Sequence, residues 1–360
     1  MTIPSAGRIL LILALGLKSL PILADDGSAL STPWRGLTFT RDDHVSMESE
    51  YLKISPRQID VSFLFRNHSD KDVELTIAFP LPALTPHGSD DLPLPDKEAN
   101  FHVWADGQEI STETSFQVLA YDGKTQHYTR DLTEAFAANG LNPRVSRPDD
   151  PLKREKLLRL GLLRQDDQEW GDWHFNLLYY WKQKFPAGKS VTIRHTYSPW
   201  IGGWHTLSGS GLPFFDGKIV LNKEPYCFDR SFMLALGKLI EHPYDSYRHV
   251  TTGTEEALFS DDRDGSYDRT QADLGFAELE YILKTGAGWN GPIGKFTLEI
   301  DKDRTELVSL CQPGGMRLKK QGNSFVGTLQ NFTPTSDLKI IFLGGEAYSY
   351  VVDAHPDMAH

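Results

Sequence analysis

The chain has 360 residues, 39% of them hydrophobic and 11% aromatic, which supplies a large core and excludes disorder over its whole length. Lys and Arg number 37 against 49 Asp and Glu, a formal net charge of -12. Phosphate backbones are held by clustered cations, so this balance argues against a nucleic-acid partner.

At the start, Arg8 precedes the apolar run Ile9 to Leu17, and Ala24 offers a small residue beyond it. That is the pattern of a secretory signal peptide, so residues 1–24 are expected to be removed after Ala24 and the protein to be periplasmic. Ile22 stands where a smaller residue is usual, and Ala29, with Gly27 before it, is the fallback site. The apolar run is about nine residues against the roughly twenty that span a bilayer, and no later stretch is longer, so no transmembrane segment is expected after cleavage.

Alternation with a period of two then dominates. Ile59, Val61, Phe63 and Phe65 share one strand face, and after a polar turn Val73, Leu75, Ile77 and Phe79 repeat the pattern, which predicts an antiparallel hairpin. A proline-rich stretch over 80–99 breaks regular structure. "FHVWADGQEI" predicts a second hairpin around Asp106-Gly107, and the segments 173–181 and 190–197, with Trp173 to Trp181 and Val191, Ile193, His195 and Tyr197 on matching faces, predict a third.

Between the second and third lies a helical insertion, about 129–164. One helix runs from Asp131 to a Gly140 stop; the other starts at Asp149 or Asp150, takes Pro151 into its first turn and ends near Gly161. Its lysines and arginines could face a membrane surface, but leucines 152, 157, 160 and 163 favour packing on a sheet. A third helix is expected over 228–242, ended by Pro243, and an acidic excursion over 246–273. Strands resume over 276–284, 294–301, 306–311, 324–332 and 337–343, and residues 346–360 are expected to form a disordered tail.

Runs of strands without strand–helix alternation predict a mainly β fold: antiparallel β-sandwich-like units with a few inserted short helices. A glycine-rich stretch near 202–217 suggests an N-terminal β-rich domain over 25–205 and a C-terminal one over 206–345.

Cys227 and Cys311 are the only two cysteines. An even count in an oxidising compartment favours one disulfide, the alternative being two buried, inert thiols. Trp200, Trp204 and Trp289 fall near predicted strand ends, where indole faces could contact a ligand such as a glycan. For Trp289, in "KTGAGWNGP", the favoured reading is a lid turned into the core, the glycines letting the backbone pass close beneath the ring. His242 and His249, with Glu241 and Asp245, are weak metal candidates, because Pro243 interrupts the helix that would align them. "SGSG" at 208–211 is not a G-x-S-x-G elbow. No catalytic residue can be named, and no cofactor is expected.

Several of these segments in order, "RGLTFTRDDHVSMESEYLKIS", "VSFLFRNHSDKDVELTIAFPLP", "YYWKQKFPAGKSVTIRHTYSP", "PYCFD" and "YILKTGAGWNGPIGKFTLEIDK", resemble an uncharacterised family of exported bacterial proteins, the domain of unknown function DUF4424. The resemblance implies a signal peptide and a cysteine at each of the two places occupied by Cys227 and Cys311, and it implies no activity, substrate or catalytic residue. The leading expectation is therefore a non-enzymatic envelope-associated protein that binds an unknown envelope protein or glycan. The alternative is a carboxylate-dependent hydrolase of cell-envelope glycan or peptide, using acids in a cleft between the two halves.

Overall fold

The computed structural model describes residues 30–34, 37–39, 43–84, 99–146, 148–163, 173–204, 219–220, 224–239, 244–245, 256–259 and 275–354. In chain order, β1 (Leu30–Trp34) and β2 (Leu37–Phe39) pair as a small ribbon, followed by β3 (Val45–Ile54), β4 (Ile59–Asn67) and β5 (Val73–Pro80). Then come β6 (His102–Ala105), β7 (Gln108–Ile110), β8 (Glu113–Asp122), β9 (His127–Asp131), α1 (Thr133–Asn139) and α2 (Pro151–Arg159). The middle holds β10 (Trp173–Phe185), β11 (Ser190–Tyr197), β12 (Gly202–Trp204), β13 (Ile219–Val220), α3 (Arg230–Leu239), β14 (Tyr244–Asp245) and β15 (Glu256–Phe259). The chain continues through β16 (Phe276–Tyr281), a 3-10 turn (Lys284–Gly288), β17 (Ile293–Asp301), β18 (Leu307–Leu310), β19 (Lys319–Gln321), β20 (Ser324–Phe332), β21 (Leu338–Leu343) and α4 (Ala347–Ala354).

The main layer is an eight-stranded sheet in the order β19-β20-β17-β3-β4-β11-β6-β7. Two four-stranded sheets, β5-β10-β8-β9 and β12-β16-β21-β18, contribute their inner faces to the same buried cluster. That cluster takes Phe63, Phe65, Ile193 and Phe296 from the main sheet, Phe79, Tyr179 and Phe185 from the second, and Leu279, Ile340 and Phe342 from the third. The result is a sandwich of layers, mainly antiparallel, held by alternating inward side chains.

Two of the three expected hairpins are corrected. β4 pairs with β3 and β11 in the main sheet, whereas β5 pairs with β10 in the facing sheet. Likewise β10 belongs to the facing sheet and β11 to the main one. Both connections are arches from layer to layer. Alternation reports which face of a strand is buried, and it is identical for a hairpin and an arch; it does not say which strand lies alongside. The arches meet at Asn67, which is fully buried. Its Nδ2 donates to the carbonyls of Lys71 (2.8 Å) and Phe185 (2.9 Å), and its Oδ1 accepts from Ser69 N (2.9 Å) and Ser69 Oγ (2.8 Å). One side chain thereby satisfies backbone groups on both crossings, as buried polar groups require.

The β6–β7 hairpin forms as expected, with Asp106 (φ 48°) and Gly107 (φ 82°) at its turn. α1 ends at Gly140 in the left-handed conformation, and the Asp150 side chain accepts from Leu152 N at the start of α2. Both helices cover the far part of the β8–β10 face through Phe136, Leu157, Val118 and Trp173.

The strands on either side of the boundary expected near 205 share one sheet, because β17 runs parallel to β3 with Leu298 opposite Leu52. Such a pair needs a long crossover, here most of the chain, and local composition carries no trace of it. Gly294 lies against this seam: a Cβ there would sit 2.5 Å from the Glu48 carbonyl oxygen. Residues 347–354 form α4 where a disordered tail was expected; residues 355–360 lie outside the described residues. No helix among the described residues is long and apolar enough to cross a membrane.

Candidate functional site

The two cysteines meet. Cys227 and Cys311, 84 residues apart in sequence, form a disulfide with their Cα atoms 4.8 Å apart. It ties the turn before α3 to the end of β18, and other contacts hold that turn in place. Ser309 Oγ donates to the Tyr226 carbonyl at 2.9 Å, and the Tyr226 hydroxyl donates to Glu278 on β16. Burial, reinforced by Glu278, raises the pKa of this hydroxyl well above that of a free tyrosine, so it remains a donor at ordinary pH. Asp229, just ahead of α3, accepts from Phe232 N at 2.7 Å and from Ser231 Oγ at 2.6 Å, which caps the helix.

Beside the disulfide opens a cleft of about 390 Å³. Its position follows from the topology: β18 is the edge strand of one layer and β19 the edge strand of the main sheet, and the cleft lies between these edges with α3 along its side. The apolar lining comes from Phe232 and Ala235 on α3, Leu307 and Leu310 on β18, and Leu318 and Phe325 beside and within the β19–β20 hairpin. The polar lining comes from Lys302, Lys320, Glu306, Asp229, Ser231 and Gln312. Gln312 Oε1 accepts from Leu318 N at 3.0 Å, which closes the turn leading into β19.

Lys302 is half-buried, and its Nζ donates to the Glu306 carbonyl at 2.6 Å. Burial, and next the positive charge of Lys320, hold its pKa below the usual lysine value; the opposing pull of Glu306 is smaller than either. Neither Lys302 nor Lys320 lies within ion-pair distance of a carboxylate among the described residues. Elsewhere Lys53 pairs with Glu299 at 3.2 Å and Lys284 with Asp337 at 3.0 Å. The cleft thus joins an apolar floor to two neighbouring ammonium groups, an arrangement that can hold a small molecule by burial and orient it by charge.

The tryptophans do not converge on this cleft. Trp289 is fully buried, its ring centroid 4.4 Å from Phe65 on β4 and 6.1 Å from Phe185 on β10, so it fills the space between the two layers. Gly291, at φ 81°, turns the chain onward into β17. Trp200 packs against the main core, partly buried, and Trp204 ends β12 opposite Phe276 with its side chain outside the described part. His242 and His249 also lie outside the described residues. Among the described residues, no group of three or more His, Cys, Asp or Glu side chains is placed to hold a metal ion. Lys302 and Lys320 were not singled out by sequence reasoning. The available signal was their closeness in sequence to Cys311, which a disulfide anchors against a helix.

A family model described as a domain of unknown function, DUF4424, matches residues 24–341. The chain belongs to the DUF4424 family. No curated protein matches it. Among solved structures, a candidate nutrient-binding protein of Legionella pneumophila is 17% identical, with 89% of this chain and 74% of that one covered and a TM-score of 0.38. An M1 zinc metallopeptidase from Deinococcus radiodurans is 9% identical, with 85% and 43% covered and a TM-score of 0.26; the chain spans less than half of that enzyme's length. Scores this low establish no common fold with either.

Proposed function

We propose that this DUF4424 protein is an exported, periplasmic, non-enzymatic binding protein of the cell envelope. The observation that carries the reading is the disulfide-braced cleft between the edges of two layers, a concave site with an apolar floor and convergent polar groups. Export is supported by the leader pattern over residues 1–24 and by the disulfide, a bond that persists outside the reducing cytoplasm. The family match begins at residue 24, where the leader is expected to end.

The test combines fractionation with capture. Replacing Ala235 with a photo-crosslinking amino acid should trap a defined envelope component in the periplasmic fraction, and an Ala235→Trp change should remove the saturable binding. Hydrolysis of envelope glycan or peptide by the pure protein, abolished by Asp229→Asn or Glu306→Gln, would replace this reading with a carboxylate hydrolase. Recovery of the protein in the cytosol with its leader attached would overturn the export part.

A further inference from the structure

We infer that the cleft beside the disulfide takes a small organic anion with an apolar body, its charged end held by Lys302 and Lys320 and its body lying over the Phe232, Leu310 and Phe325 floor. The inference rests on the binding reading and names the chemical class of ligand.

Three observations carry it. First, the apolar and cationic groups come from different elements: α3 and β18 present Phe232, Ala235, Leu307 and Leu310, while Lys302 follows β17 and Lys320 is the middle residue of β19. A ligand lying across the cleft therefore meets carbon from α3 and β18, and both carbon and positive charge from the β19–β20 side.

Second, neither acid of the lining, Asp229 nor Glu306, is ion-paired with Lys302 or Lys320. Asp229 accepts from Phe232 N and Ser231 Oγ through Oδ1 at the start of α3, where the helix end favours its charge. Glu306 is exposed at the rim, and Lys302 responds to Lys320 more than to Glu306. After burial, the Lys320 charge opposes protonation of Lys302 and Glu306 favours it less strongly, so an incoming anion offsets the repulsion between the two lysines.

Third, Lys302 is pre-positioned. One ammonium proton is held by the Glu306 carbonyl, which leaves two free to donate into the cleft. Fixing the side chain in advance reduces the ordering cost of binding. In a protein of net charge -12, two cations outside ion-pair distance of any described carboxylate, beside an apolar floor, select an anion that general surface attraction would not.

The probes are sodium octanoate, octylamine and 1-octanol, titrated calorimetrically into the purified disulfide-bonded protein. Octanoate should bind saturably at one site and at least tenfold more tightly than either octanol or octylamine. The Lys302→Gln/Lys320→Gln double variant should lose at least tenfold for octanoate and little for octanol. Both lysines are outside the core, and unchanged near-UV circular dichroism with no titratable thiol would establish that the variant is folded and oxidised. Equal binding of octanol and octanoate would overturn the anion inference and leave the cleft a binding site, so the parent reading survives. An absence of saturable octanoate binding, or binding indifferent to the double substitution, also overturns the inference; the parent reading is then judged by the Ala235 capture experiment.

Discussion

His195 should make this protein acid-labile. The side chain points inward from β11 and is fully buried, with ring centroids of Phe79 at 4.4 Å and of Phe63 and Phe101 at 5.4 Å. Burial pushes its pKa down to about 3, from an ordinary 6.5. Between those two pH values the unfolded chain binds a proton that the folded chain refuses. Stability is therefore fully present above pH 6.5 and is lost as pH falls toward 3. At about 1.4 kcal/mol per pH unit the whole interval amounts to roughly 5 kcal/mol, of which about 2 kcal/mol is gone by pH 5. The assay is urea unfolding of the native chain and of His195→Leu, each at pH 7 and pH 5. Carboxylates titrate in both proteins and cancel in the comparison. The native chain should lose about 2 kcal/mol more than the variant over this range. Equal losses would refute the argument, because they would mean that the imidazole can be protonated in the folded state at little cost.

Trp289→Ala should destabilise the fold by about 3 to 5 kcal/mol, since the ring spans the gap between Phe65 and Phe185 and leaves a cavity between layers; a chemical melt shifted by less than about 1 kcal/mol would contradict the packing. Replacing Cys227 and Cys311 together with Ser should cost about 4.5 kcal/mol in the chain-entropy model for a closed loop of this length, and thiol titration of the unfolded, unreduced native protein should detect no free thiol. Gly294→Ala should destabilise by about 1 to 3 kcal/mol, because the added methyl meets the Glu48 carbonyl at the β3–β17 seam; a neutral melt would show that the seam can spread.

The burial pattern was readable in the regularly alternating strands. Ile59 to Phe65, Val191 to Tyr197 and Phe296 to Ile300 alternate in the sequence as they alternate in the sheets. The helix ends were readable too, at Asp150 and Gly140, since capping is a matter of a few adjacent residues. Glu50 was less legible. A register shift between Met47 and Ser49 turns it to the inner face, where it is 1% exposed; the inward apolar positions slip from Val45 and Met47 to Leu52 and Ile54, a change of phase that does not by itself say where the break falls.

By itself the sequence determined the class of the fold, the direction that strands such as β4, β11 and β17 face, the inward tryptophan and the pair of cysteines available to be joined, all of which depend on neighbouring residues or on simple counting. The tertiary structure decided the partners: that β4 and β5 part company into different layers, that β17 returns to lie beside β3, and that Lys302, Lys320 and Phe232 border one cleft. Partnership across hundreds of residues is set by how whole faces stack together, a property of the assembled layers that no local pattern encodes.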